Sequence, residues 1–369
     1  MKDMRPILQG SSLKVNRGTS TILDVSGIEL SNGEVISLIG PNGAGKTTLL
    51  QVLSSLLIPT NGDILFKGDR ITSKTALSYR RKIAMVFQEP LLFNTTVYAN
   101  VAAGLKFRKM KKDQIPAIVE HQLNRFGIAH LKSRSAKTLS GGEAQRTSLA
   151  RSFATEPEII FLDEPFASLD PPTREALTND LETALRSTGT TAILATHDRI
   201  EALRLSDRIA IMNKGKMIQI GKPEEVMSRP ADEFVASFVG AETVLAGKVF
   251  EKNGGTFLVS VSGHDISVVG DFQIGQPVLL FIRPENITLS SNPEKTSARN
   301  QFLGRIERII PFGFFYKVQI NCGFALTAFI TGRALEELSL REQMQVYASF
   351  KATAIHAIVK KESHADLLD

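Results

Sequence analysis

The run Gly40-Pro-Asn-Gly-Ala-Gly-Lys46-Thr47 constrains this chain more than any other stretch. It fits G-x-x-x-x-G-K-[ST] in full, between a short apolar run at 34–39 and a helical pattern at 46–57. The glycines let the backbone curl until several N–H groups point at one anion. The helix start adds its partial positive charge. Gly40, Asn42, Gly43, Ala44, Gly45, Lys46, Thr47 and Thr48 are therefore the expected phosphate binders. Lys46 would reach the β- and γ-phosphates of a nucleoside triphosphate. A strand, loop and helix in this order belong to a parallel α/β sheet.

The stretch Ile159-Ile-Phe-Leu-Asp163-Glu164 supplies the complement. An apolar strand carries Asp163 to the mouth of the loop, where it and Thr47 would hold Mg²⁺. Glu164 beside it can act as general base on the attacking water. The acidic pair by itself would read as a strand end facing solvent; the phosphate loop gives it a task.

The rest of the chain frames that site. With 369 residues, two or three domains are expected. The 43% apolar and 22% charged fractions exclude a disordered or fibrous chain. No apolar stretch reaches the roughly 20 residues of a membrane-spanning helix, and the start lacks the apolar run of a secretion signal. A cytoplasmic chain is expected. The single cysteine, Cys322, reads as a small buried thiol. Residues 1–240 hold 31 basic and 25 acidic groups, and residues 241–369 hold 13 of each, so the whole +6 charge lies in the first part. The densest basic run, residues 106–112, reads as a solvated helix end.

Residues 1–240 alternate strands and helices, with a mostly helical insert at about 89–155. Apolar runs at 159–162 and 192–195 read as further buried parallel strands. From about Ala241 the texture turns to strands between Gly, Asn and Pro turns, at 256–261, 277–282, 314–320, 326–330 and 346–350, with a helix at 333–337. An all-β barrel over 241–369 is expected. It contains a weak repeat: Gly247-Lys-Val and residues 257–261 resemble Gly304-Arg-Ile and residues 315–320, and 277–283 resemble 345–351.

Further motifs place the first part in a family. Leu139-Ser140-Gly141-Gly142-Glu143 resembles the signature of ABC ATPases, and Gln88 the glutamine of their Q-loop. Asp170, in Ser168-Leu-Asp170, resembles the D-loop residue, and His197 the switch histidine. The resemblance covers roughly residues 8–240. It implies that ATP is sandwiched in a head-to-tail homodimer, the signature of one copy closing over the nucleotide held by the other. It also implies that Gln88 joins Thr47 and Asp163 at Mg²⁺, and that His197 contacts the γ-phosphate. One departure is visible: no aromatic residue precedes Phe66. Arg17 is the candidate platform for the base, by a cation–π contact.

A single ATPase domain followed by a β-domain resembles the energising subunit of an ABC importer. That implies a peripheral place on the cytoplasmic membrane face, a membrane permease meeting residues 88–105, and an extracellular or periplasmic binding protein. No nucleic-acid partner is expected. The C-terminal part resembles the OB-like transport-associated domain. Ser297-Ala-Arg299-Asn300, with Lys351 downstream, resembles the molybdate/tungstate module of molbindins over roughly 296–360. Ser297, Arg299, Asn300 and Lys351 are the oxyanion candidates, and Arg283, in the repeat position of Lys351, a candidate for a second pocket. Sulfate, ferric iron, a polyamine or a sugar remain alternative cargoes, with the barrel purely structural. A soluble ABC ATPase outside transport is a third reading. His264, His356 and His364 read as scattered surface histidines.

Overall fold

The computed structural model describes residues 6–360. They form two compact units that part between Pro223 and Glu224.

The first unit opens with β1 (Leu8–Arg17), β2 (Ser20–Leu30), β3 (Val35–Ile39) and α1 (Lys46–Leu53). β4 (Asn61–Phe66), β5 (Asp69–Arg70), α2 (Ala76–Arg80) and β6 (Ile83–Val86) follow. The helical insert is α3 (Val97–Phe107), α4 (Ile115–Arg125) and α5 (Gly141–Ala154). The unit closes with β7 (Ile159–Asp163), α6 (Pro171–Thr188), β8 (Thr191–Thr196), α7 (Arg199–Leu205), β9 (Arg208–Asn213) and β10 (Lys216–Gly221).

Its central sheet has the order β10-β9-β3-β8-β7-β6 and is parallel except for the β9–β10 hairpin. Every residue of β3, β7 and β8 is buried, as strands covered on both faces require. Alternate side chains serve two cores. Ile36, Leu38, Phe161 and Ile193 meet α1 and an antiparallel sheet, β2-β1-β4-β5. Val35, Ile160, Leu162 and Leu194 meet the helical side, with Val101, Leu149, Phe153 and Leu181. Each such buried side chain contributes about 1.5–3 kcal/mol. Because β3, β7 and β8 run parallel, their carboxyl ends open on one crevice, where α/β sheets hold ligands.

The helix pattern at 46–57 ends earlier, at Leu53. The Ser54 N–H donates to the Leu50 carbonyl, and Ser55 turns the chain at φ 57°.

The second unit begins before the texture change at Ala241. Two short helices, α8 (Pro223–Ser228) and α9 (Glu233–Phe238), precede its strands. Ala236 of α9 packs with Leu279 and Phe281 of the β-region, which ties this segment to the barrel. The strands are β11 (Thr243–Asn253), β12 (Thr256–Val261), β13 (His264–Val269), β14 (Pro277–Ile282) and β15 (Thr288–Ser290). They continue with β16 (Asn300–Phe312), β17 (Phe315–Asn321), β18 (Ala325–Thr331), helix α10 (Gly332–Glu337), β19 (Gln345–Phe350) and β20 (Ile355–Val359). They form two sheets, β13-β12-β11-β14-β20 and β15-β19-β16-β17-β18, around one core.

The register confirms the internal repeat. Gly247 pairs with Val278 and Gly304 with Val346; both β11 and β16 carry a bulge two to four residues after that glycine, between Val249/Glu251 and Ile306/Arg308. The last strand of each half is exchanged. β20 pairs with β14, and β15 pairs with β19. Thr243 and Asn300 open the two halves, and each ties its strand to the other half. The Thr243 hydroxyl accepts from the Thr327 N–H at 3.1 Å. The Asn300 amide exchanges two hydrogen bonds with the Ser267 backbone, at 2.8 and 2.9 Å.

Candidate functional site

The loop after β3 takes the shape its glycines allow. Gly43 and Gly45 sit at φ 80° and 98°, a region that costs little without a Cβ. A Cβ on Gly40 would collide with the Met212 carbonyl oxygen. Lys46 is buried and donates to the carbonyls of Gly40 and Pro41 at 2.8 and 3.2 Å. Its Nζ also lies 3.3 Å from Glu164 Oε1. Asn42 is exposed, as is Thr47, while Ala44 is buried and Gly45 and Thr48 are half-buried.

β7 delivers the two carboxylates. Asp163 Oδ1 accepts from the Thr47 hydroxyl at 2.9 Å. Burial raises the Asp163 pKa above its ordinary value, and the Thr47 hydrogen bond opposes that shift. Glu164 follows at φ 44°, a left-handed conformation that costs energy for a residue with a Cβ. Its N–H is tied to the Ala195 carbonyl on β8 at 2.9 Å. Its second oxygen lies 2.9 Å from His197 Nδ1. The Glu164 carboxylate thus stands between Lys46 and His197, where an attacking water and a terminal phosphate would meet.

Thr47 and Asp163 offer two hard oxygen donors side by side, which suits Mg²⁺. Among the described residues no three His, Cys, Asp or Glu side chains are grouped so that they could hold a metal ion by themselves. A metal here would complete its shell with phosphate and water. Gln88 is exposed.

The signature residues start α5. The Ser140 hydroxyl accepts from the Glu143 N–H at 3.3 Å, and Glu143 Oε2 accepts from the Ser140 N–H at 2.7 Å. This reciprocal cap holds the helix start open and lowers the Glu143 pKa. Ser140 and Gly141 are exposed, although the Ser140 N–H is already engaged by Glu143. Gly142 faces α6, where a Cβ would lie 2.7 Å from Thr173 Cγ2. Asp170 caps α6 through the Thr173 N–H at 3.2 Å, which lowers its pKa. Arg17 is exposed at the end of β1.

In the second unit Ser297 and Arg299 are exposed. Arg299 and the exposed Lys351 flank the last pair of the β16–β19 ladder, Asn300–Phe350. The Asn300 side chain is buried and exchanges hydrogen bonds with the Ser267 backbone, which leaves the Asn300 backbone as the group expected to meet an anion. Arg283, the candidate for a second pocket, already has partners. Its guanidinium donates to the Met227 carbonyl and pairs with Glu285 at 3.5 Å, inside a cavity of about 620 Å³ that Arg229 and His356 share. In the first half of the repeat, Glu242 stands where Arg299 stands in the second. The surface-histidine expectation fails for two residues. His264 packs edge-on against Phe302 and Phe324, and His356 is half-buried against Pro230 at 3.0 Å. His364 lies outside the described residues. Cys322 is buried, and burial pushes its thiol up to about 11.

The stretch expected to meet a permease, residues 88–105, borders a groove before α3. Phe93, Phe107, Arg80, Arg108 and Arg151 line a cavity of about 390 Å³. Phe93 and Phe107 are exposed and meet edge to face at 6.2 Å. Asn100 holds the turn beneath them by accepting from the Phe93 N–H at 2.7 Å.

The ABC transporter family model matches residues 23–167, and the TOBE domain model matches residues 296–357. The molybdate/tungstate import ATP-binding protein of Pyrococcus horikoshii is 39% identical over 336 residues, covering 89% of this chain and 93% of the relative. The chain belongs to the ABC transporter family. It is an ATP-binding subunit of that family, an ATPase coupled to transport. The sulfate/thiosulfate import ATP-binding protein of Thermosynechococcus vestitus is 35% identical, covering 87% of this chain and 89% of the relative. Among solved structures, cbiO1 of Clostridium perfringens, part of an ABC transporter complex, is similar at a TM-score of 0.57 and 34% identity, covering 64% of this ABC subunit and 94% of that chain. A dimeric ATP-binding cassette bound to ADP and Pi matches at 0.54 and 26%, covering 58% and 98%.

Proposed function

We propose that this ABC subunit hydrolyses ATP to drive import of molybdate or tungstate, and that its second unit binds the same oxyanion. The reading rests on Arg299 and Lys351 flanking the Asn300–Phe350 pair, both exposed, beside Ser297. A tetrahedral dianion needs such hydroxyl, N–H and cationic donors. The backbone of Asn300 remains a candidate donor where its side chain does not. Three relatives named molybdate/tungstate import ATP-binding proteins, at 38–40% identity, support the cargo class.

At the ATP site, Lys46 would exchange the Glu164 carboxylate and its loop carbonyls for the β- and γ-phosphates. Thr47 and Asp163 would hold Mg²⁺, which when bound neutralises phosphate charge. Glu164 would then take a proton from the attacking water, whose oxygen joins the γ-phosphorus as the bond to ADP breaks. His197, already 2.9 Å from Glu164, would orient that carboxylate and the γ-phosphate. Two copies would pair head to tail, Ser140 to Glu143 of each facing the nucleotide of the other. The groove of Phe93 and Phe107 would receive the permease, on the cytoplasmic membrane face, with a separate binding protein outside.

Calorimetric titration of the full chain with tungstate, molybdate and sulfate tests the cargo. Binding of the first two, lost in Arg299→Ala and Lys351→Ala, is the expected result. Preferential sulfate binding would move the cargo to that relative's class. No binding of any would leave a structural barrel.

A further inference from the structure

We propose that Arg174 is a positioning residue for His197, linking the signature and Asp170 region of this chain to its own catalytic pair. The proposal rests on the ATPase reading above and adds the part that joins two sites.

Arg174 lies one turn into α6, its N–H donating to the Asp170 carbonyl at 2.9 Å. Its guanidinium points two ways. Nη2 donates to the Leu169 carbonyl, just before Asp170, at 3.1 Å. Nη1 lies 3.9 Å from Asp198 Oδ2. Asp198 is next to His197 and fixes the start of α7, accepting from the Ile200 and Glu201 N–H groups at 2.7 and 3.3 Å. His197 in turn holds Glu164. On its other side Arg174 adjoins Thr173, whose methyl group abuts Gly142 of the signature. A continuous path therefore runs from Gly142 through Thr173 and Arg174 to Asp198, His197 and Glu164. One end is the face that would meet a second copy. The other is the base that would activate water.

A path carries coupling when one of its members has two arrangements. Arg174 is the member of this path held least completely. Its Nε is buried and has no acceptor among the described residues, and its ionic contact to Asp198 is long. A buried donor without an acceptor is costly to keep. The guanidinium is thus not in its best-satisfied position here, and a shift of α6 against α5 gives it another. In that second position it draws Asp198, and with it His197, toward the γ-phosphate. A structural staple would show closed, well-aligned bonds at all three nitrogens instead.

The test compares Arg174→Ala and Arg174→Lys in the full chain, each in wild-type and His197→Ala backgrounds. Steady-state ATP hydrolysis and binding of a non-hydrolysable ATP analogue are measured. In the wild-type background Arg174→Ala should lower kcat about tenfold with analogue affinity unchanged, and bring the Hill coefficient from about 2 toward 1. Arg174→Lys should recover part of kcat through its charge on Asp198. In the His197→Ala background Arg174→Ala should change the residual rate little, because the two act through one group. An equal loss in both backgrounds overturns the proposal, as does an unchanged Hill coefficient and kcat. A melting point that falls alike for Ala and Lys, with kcat following it, also overturns it. Failure of the wild-type chain to bind the analogue or hydrolyse ATP would instead overturn the ATPase reading beneath it.

Discussion

Asp163 is held in the fold against its own charge. It is buried, its pKa is raised by desolvation, and among the described residues the Thr47 hydroxyl is the one group that donates to its carboxylate. In the unfolded chain it ionises near 3.8, so at neutral pH the folded state carries a cost that the unfolded state does not. Asparagine in its place keeps an acceptor for Thr47 and removes the charge. Asp163→Asn should therefore stabilise the nucleotide-free first unit by up to about 1 kcal/mol at pH 7, while Mg²⁺-dependent hydrolysis is lost. The gain should vanish below pH 3.8, where the carboxyl is protonated in both states. Denaturant melts at pH 7 and pH 3.5 check both signs; a loss of stability at pH 7 would show that the Asp163 charge is satisfied. At this scale the ATP site was legible because backbone curl, a helix start and a strand end impose local residue patterns. Asn300, Arg283 and Arg174 were not. Their partners, Ser267, Met227 and Asp198, lie far along the chain, and no local spacing announces them.

The elements were read well where burial leaves a strong pattern. The runs at 256–261 and 277–282 coincide with β12 and β14, because alternation or full burial marks them. β11 and β16 were caught at Gly247 and Gly304 and not along their length, since a bulge in each breaks the period of two. Those glycines allow β12 and β17 to cross closely. A Cβ on Gly247 would lie 2.5 Å from Val259 Cγ1 and 2.7 Å from the Ser260 carbonyl oxygen. On Gly304 it would meet the Cys322 sulfur and Ile320 Cγ2, with the Asn321 carbonyl oxygen at 3.1 Å. Side chains can give way more readily than a ladder carbonyl. Gly247→Ala and Gly304→Ala should each cost about 1–3 kcal/mol in the second unit, with Gly247→Ala the larger. Thermal unfolding of the two variants decides it. Equal or reversed losses would mean that β12 moves as easily as a side chain.

At the scale of the molecule, the site described in one chain lacks a cover for its nucleotide. Lys46, Thr47, Asp163, Glu164 and His197 converge on one crevice, while Ser140 and Gly141 present a second anion-seeking helix start elsewhere on the surface. Two copies related by a twofold axis would satisfy both, the start of α5 in each meeting the phosphates held by its partner. That arrangement makes a prediction no single-copy site shares. A Lys46→Ala chain keeps its signature and loses its phosphate loop. A Ser140→Arg chain keeps its loop and loses its signature. Each should be inactive by itself. Mixed in equal amounts, half of the pairs are heterodimers with one intact composite site, so hydrolysis should return to about a quarter of the wild-type rate. If both sites must fire together, the mixture stays inactive. Light scattering on the Glu164→Gln chain with ATP then resolves that case, since pairing should double its mass without turnover. Inactive mixtures together with a monomeric Glu164→Gln chain would mean that α5 closes over its own loop, and the head-to-tail arrangement would have to be given up.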